Sequence, residues 1–182
     1  MTKLEIINNI EVCRACKFRD HLRYGDLPII GAGHTPAKLM LVNLRSTIEA
    51  HLVEKPLAAK NEALLIKILQ EAQVPKSDIY LTNLVKCSGP MTPAKEFIAN
   101  GKVCANNHLT QEIELVQPKA IVCFGSSIPK ILLNDTNASV SSEYTMPNGR
   151  NMFVTYSMEE LYRRGQRYMD EAIQTIKKAY AC

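Results

Sequence analysis

The sequence has no uninterrupted apolar segment long enough to cross a bilayer as a helix. Its opening, MTKLEIINNIEVC, lacks the basic start and small-residue cleavage pattern of a secretory signal. Together these absences lead us to expect an intracellular chain, in the cytoplasm or associated with nucleic acid, with no membrane partner. A disulfide framework is disfavoured in that reducing compartment, so the six cysteines are expected as free or metal-bound thiols. There is no internal repeat, no low-complexity tail and no long linker, so residues 1–182 read as one domain. Gly31-Ala32-Gly33 has neither the full pattern nor the lysine of a phosphate-binding loop, and it precedes the first strand.

What is present is ordinary for a soluble globular protein: 182 residues, 46% hydrophobic and 22% charged, enough for a sizeable core. The formal charge of +4 permits a nucleic-acid partner without identifying one. Arg150, Arg163, Arg164, Arg167, Lys177 and Lys178 recur toward the C-terminus, and a solvated helix face accounts for most of them.

Lys38 to Val42, Ile79 to Thr82, Ala120 to Phe124 and Met152 to Tyr156 are short apolar runs of the kind buried on both faces of a parallel sheet. Between the first two, Asn61 to Gln73 repeats apolar residues at helical spacing and stops at Val74-Pro75. A second crossover includes Cys104 to Val116, where Leu109, Ile113 and Val116 recur near helical period before Pro118 stops the pattern. Gly125-Ser126-Ser127 marks entry into a short helix that Ser126 or Ser127 caps, and Met158 to Tyr180 reads as one long final helix. The expected fold class is α/β, a three-layer arrangement with a central, mostly parallel four-stranded sheet flanked by helices.

Cys13-Arg14-Ala15-Cys16 supplies two thiols at adjacent-ligand spacing, and with Cys87 and Cys104 it makes four, enough to close a tetrahedral sulfur site for an iron–sulfur cluster or zinc. The competing reading is that these cysteines are small buried hydrophobes. Cys123 lies in an apolar run and is expected to pack; Cys182 is terminal. His108 is four residues from Cys104 and reads as a surface residue or a neighbour of the ligands, not a ligand.

GAGHTPAKLMLV, YLTNLVKCSGPMTP, and the stretch from Cys104 through HLTQEIELVQPKAIVCFG together resemble the iron–sulfur branch of the uracil-DNA glycosylase superfamily. The resemblance covers most of the chain and is strongest over residues 13–43, 79–125 and 152–164. It implies a uracil-DNA glycosylase-like fold and a [4Fe-4S] cluster on Cys13, Cys16, Cys87 and Cys104, with zinc as the chemical alternative for the same thiolates. It also implies that Asn83, the asparagine of the TN motif, reads an extruded pyrimidine through its amide, which both donates and accepts. The residue-level alternative is that Asn83 satisfies backbone groups in a turn.

Three positions depart from the family pattern. The acid expected in the water-activating loop after the first strand is Leu44, within Asn43-Leu44-Arg45-Ser46-Thr47, and leucine cannot activate water. Glu49 and Glu54 lie downstream. Leu57, in Pro56-Leu57-Ala58-Ala59, stands where the pocket's phenylalanine is expected, and it cannot supply a stacking face. Ser157, in Thr155-Tyr156-Ser157-Met158-Glu159, takes the place of the family's histidine; it can donate one hydrogen bond to a departing base anion. If hydrolysis survives, Asn83 orients the base, Ser157 steadies the leaving anion and Asn43 positions water. Arg163 and Arg164 are candidate phosphate contacts, and Glu159 and Glu160 fit the start of a helix.

The first functional expectation is therefore a DNA-associated protein with this fold and cluster, its ordinary catalytic residues degraded or repurposed, serving as a replication or repair accessory with a protein partner from those processes. The second is an active glycosylase that hydrolyses the N-glycosidic bond of uracil or a modified pyrimidine. The third is a protein-interaction module without DNA chemistry.

Overall fold

The computed structural model describes residues 1–22, 26–88 and 92–182. Gly89-Pro90-Met91 of the YLTNLVKCSGPMTP stretch lies outside the described residues. Helix α1 (Lys3–Glu11) is followed by strands β1 (Ala32–Gly33) and β2 (Leu39–Arg45), helices α2 (Ile48–Leu52) and α3 (Ala59–Glu71), and β3 (Ile79–Val85). Then come α4 (Ala94–Cys104), a π turn (Ala105–Leu109), α5 (Thr110–Val116), β4 (Ala120–Phe124) and α6 (Ser127–Leu132). The chain ends with β5 (Glu143–Thr145), β6 (Asn151–Thr155), α7 (Met158–Arg164) and α8 (Gln166–Tyr180).

The fold class is the expected α/β. The sheet runs β1-β3-β2-β4-β6-β5, and its four inner strands are mutually parallel, at the places the apolar runs indicate. Two short antiparallel edge strands, β1 on β3 and β5 on β6, bring the count to six. The glycines at residues 31 and 33 are there for packing. A Cβ on Gly33 would sit 2.3 Å from the Ile79 carbonyl oxygen, and one on Gly31 would sit 2.5 Å from the Tyr80 ring. Only glycine lets this strand lie so close to β3.

Alternation along the inner strands divides the core into two layers. Leu39, Leu41, Val122, Phe124 and Phe153 meet α3 and α8 through Leu65, Ile68, Leu69, Ile173 and Ile176. Met40, Val42, Ile121, Cys123 and Met152 meet the opposite helices through Leu109, Ile113, Val116, Ile128 and Ile131. Each such side chain taken from water contributes roughly 1.5–3 kcal/mol, which holds the strand ends rigidly in place.

Three local expectations need correction. Strand β2 continues through Asn43 to Arg45, so the segment read as a loop is paired with β3. The second crossover does include Cys104 to Val116; its helical stretch starts earlier, at Ala94, and widens into the π turn just past Cys104. Ser126 stands at the start of α6 without a side-chain cap bond. The final helix is two helices, broken at Gly165, whose φ of +83° suits a residue without a Cβ.

Candidate nucleobase crevice and cysteine site

All four parallel strands present their carboxyl ends on one side of the molecule, and the connections leave β2 first toward β3 and later toward β4. In open α/β sheets the crevice beyond such a switch point is where ligands bind. The register puts Asn43 of β2 opposite Asn83 of β3 and Phe124 of β4. Asn83 thus lies within β3, near its end, not beyond the strand, and is almost fully buried at 1% exposure.

The two asparagine amides are joined. Asn43 Nδ2 donates to Asn83 Oδ1 at 3.0 Å and to the Arg45 carbonyl at 2.9 Å, while Asn83 Nδ2 donates to the Pro56 carbonyl at 3.1 Å. Asn83 retains unused hydrogen-bonding capacity, a second lone pair on its oxygen and a second hydrogen on its nitrogen, whereas both Asn43 Nδ2 hydrogens are committed. Leu57, next to Pro56, is buried in the core against the α3 layer. Leu44 packs on the other layer.

Ser157 follows β6 and caps α7. Its hydroxyl accepts from Glu160 N at 3.3 Å and donates to the Glu160 carboxylate at 2.9 Å, and that carboxylate also accepts from Ser157 N. This is a reciprocal capping box. Arg163 and Arg164 are exposed on α7, paired with Glu159 and Glu160 at 3.6 and 3.5 Å. Surface pairs of this kind are worth at most about 1 kcal/mol, little to give up for a phosphate.

Two polar side chains just past β2 drew no notice in the sequence. Ser46 is buried with its hydroxyl unpartnered among the described residues, and His51 of α2 is buried with Nε2 3.4 Å from Asp26 and Nδ1 unpartnered. Glu49 and Glu54 stay exposed.

The four candidate thiols do meet. Cys13 and Cys16 lie in the turn after α1, Cys87 two residues past β3, and Cys104 at the last position of α4; all line one cavity with Arg19, Lys86 and His108. The void measures about 300 Å³ including its open mouth. Backbone N–H groups already point at sulfur: Ala15 N to Cys13 Sγ at 3.5 Å and Lys86 N to Cys104 Sγ at 3.4 Å. Burial raises the Cys87 thiol to about 12, assisted by repulsion from Cys104, Cys16 and Cys13 and opposed by Arg19. Burial also raises Cys104 to about 11, against the favourable pull of Lys86 and its N–H, and pushes Cys16 up.

Four thiols lining one cavity, with Cys16, Cys87 and Cys104 resisting ionisation, are a donor set that a cationic centre resolves. Among the described residues no group of three or more His, Cys, Asp or Glu is arranged to hold a metal ion. The four cysteines lining the cavity are nevertheless an all-sulfur donor set of the kind a [4Fe-4S] cluster, or zinc, takes. The residues present fit the cluster.

Directly beneath lies a buried network that sequence reasoning missed. Lys86 and Glu112, 1% and 0% exposed, form an ion pair with Nζ 2.5 Å from Oε2. Lys86 Nζ also donates to Thr82 Oγ1 at 2.6 Å, and Glu112 accepts from Thr82, from Tyr80 OH at 3.2 Å and from Gly31 N at 3.3 Å. Burial and the Glu112 charge push the Tyr80 hydroxyl's pKa upward. The available signal was position 112 itself, a charged residue on the apolar stripe of Leu109, Ile113 and Val116. His108, expected at the surface or beside the ligands, is buried in the cavity wall.

The uracil DNA glycosylase superfamily model matches residues 30–177. A Type-4 uracil-DNA glycosylase of Thermotoga maritima is 23% identical over 184 residues, covering 97% of this chain and 92% of the relative. The Type-4 uracil-DNA glycosylase of Saccharolobus solfataricus is 24% identical over 162 residues, 87% of this chain and 70% of the relative. That of Archaeoglobus fulgidus is 24% identical over 133 residues, 71% of this chain and 63% of the relative.

Proposed function

This chain belongs to the uracil DNA glycosylase superfamily, and on that premise we propose that it is a DNA-associated protein of repair or replication, with a [4Fe-4S] cluster and a base crevice repurposed from ordinary uracil hydrolysis. Cys13, Cys16, Cys87 and Cys104 would hold the cluster. When bound, it ties the N-terminal turn, the end of β3 and the end of α4 into one unit.

The observation that carries the reading is the closed asparagine pair. Asn83 has its amide oxygen on Asn43 and its amide nitrogen on Pro56, so a base must use the remaining capacity or displace Asn43. Ser157 is similarly committed to Glu160, and Leu44 offers no base to water. Arg163 and Arg164 supply phosphate contacts. The test is to measure DNA affinity and free-base release together, on cluster-loaded protein with uracil-containing and ordinary single- and double-stranded DNA. Salt-sensitive binding with no released uracil is expected; rapid uracil release overturns the repurposed crevice, and absence of binding at low salt overturns the DNA role.

One observation favours a second reading, an active glycosylase with altered base preference. His51 is buried just past the segment where the family's acid is replaced, and Asp26 orients its ring. An imidazole so held is a candidate proton acceptor for water. Base release abolished by both His51→Gln and Asn83→Ala would establish this reading in place of the first.

A further inference from the structure

We propose that His108 and Arg19 donate hydrogen bonds to the sulfur atoms of the bound cluster and thereby set how tightly it is kept and how readily it is reduced. This rests on the reading that the four cysteines carry a cluster.

Both side chains line the cavity that the four thiols share. His108 is 4% exposed, yet neither ring nitrogen has a partner among the described residues; Arg19 Nη1 is also buried without one. An unmet buried donor costs about 1–3 kcal/mol, and these groups face the same small space. That cost is offset only by something in the cavity that accepts hydrogen bonds. Thiolate and sulfide sulfurs of an anionic cluster are such acceptors.

Chain geometry ties each donor to a ligand. Arg19 lies in the 3₁₀ turn Lys17–His21, three residues after Cys16. His108 lies in the π turn that begins where α4 ends at Cys104, which places it one turn along from that ligand. Single π turns recur at functional sites because they reorient a side chain that a regular helix would aim elsewhere. The N-terminal pair of thiols and the α4 thiol thus each arrive with a donor on the same segment. Hydrogen bonds to cluster sulfurs withdraw electron density, favouring the reduced state and strengthening retention.

The test uses the full chain, purified anaerobically and loaded with iron and sulfide, alongside His108→Phe, His108→Gln and Arg19→Met. Iron content, far-UV circular dichroism, reduction potential and the rate of iron loss to a chelator are measured for each. His108→Phe and Arg19→Met are expected to keep the fold and the iron stoichiometry, to shift the potential more negative and to lose iron about tenfold faster. His108→Gln, which keeps an N–H, is expected to lie close to wild type. Wild type that takes up no iron overturns the cluster reading itself. Iron uptake with potential and loss rate unchanged in both His108→Phe and Arg19→Met overturns the donor role alone, leaving those nitrogens to water. Should His108→Phe not fold, Arg19→Met against wild type decides the matter by the same two readouts.

Discussion

The asparagine pair and the cysteine cavity lie on one strand and its extension, four residues apart from Asn83 to Cys87, and they treat their polar atoms in opposite ways. Asn43 donates to Asn83 and both amides donate to nearby carbonyls, so this part of the crevice already holds hydrogen bonds that an incoming base must share or displace. Around the cysteines, burial holds the Cys16, Cys87 and Cys104 thiols un-ionised, and both His108 ring nitrogens and Arg19 Nη1 have no partners among the described residues. A site with unmet donors is organised around something that fills it. One whose amides are closed on each other makes an incoming base compete for them.

The sharpest way to break this contrast is through the ion pair between the two regions. Glu112→Gln leaves Lys86 buried with its charge uncompensated, and a loss of roughly 3–5 kcal/mol is expected in chemical denaturation of the loaded protein. A loss under 1 kcal/mol would mean that water reaches Lys86. Opening the closed pair is the next largest intervention. Asn43→Ala should cost about 1 kcal/mol of stability for the lost hydrogen bonds and raise affinity for uracil-containing DNA several-fold by freeing Asn83. Unchanged affinity would show that Asn83 does not meet the base.

Ser157→Ala removes the α7 cap and is expected to cost about 1 kcal/mol in thermal or denaturant unfolding while leaving DNA affinity intact. If base release is detected and this variant abolishes it, Ser157 serves the chemistry as well as the helix. The smallest effect lies far from both regions, where Tyr180 OH donates to Asp78 at 2.6 Å and joins the end of α8 to the turn before β3. That bond, with a second from Ser77, holds the Asp78 carboxyl below its usual 3.8. Its contribution is therefore complete above 3.8 and is lost as the pH falls through the lower folded value. Asp78→Asn should melt slightly lower at neutral pH, with the gap to wild type closing on acidification below 3.8. A gap that persists in acid would assign the effect to packing.

Much of this was legible in the chain order of residues. Continuous apolar runs identify the four parallel strands because a strand buried on both faces has no polar side to show, and Val74-Pro75 and Pro118 mark helix ends because proline cannot continue them. The paired thiols at residues 13 and 16 are local, so their spacing announces them. The edge strands were not legible: at two and three residues they owe their existence to pairing with β3 and β6. Nor was the break at Gly165, since apolar spacing continues on both sides of it.

By itself, then, the sequence determined which segments would be buried and which thiols were available, because those properties belong to single side chains and their near neighbours. Only the tertiary structure decided that Asn83 would be occupied by Asn43, that Lys86 would find Glu112, and that His108 and Arg19 would face the cysteines. Each of these joins residues from separate elements, and whether a polar atom is satisfied depends on what the fold brings within 3 Å or so of it.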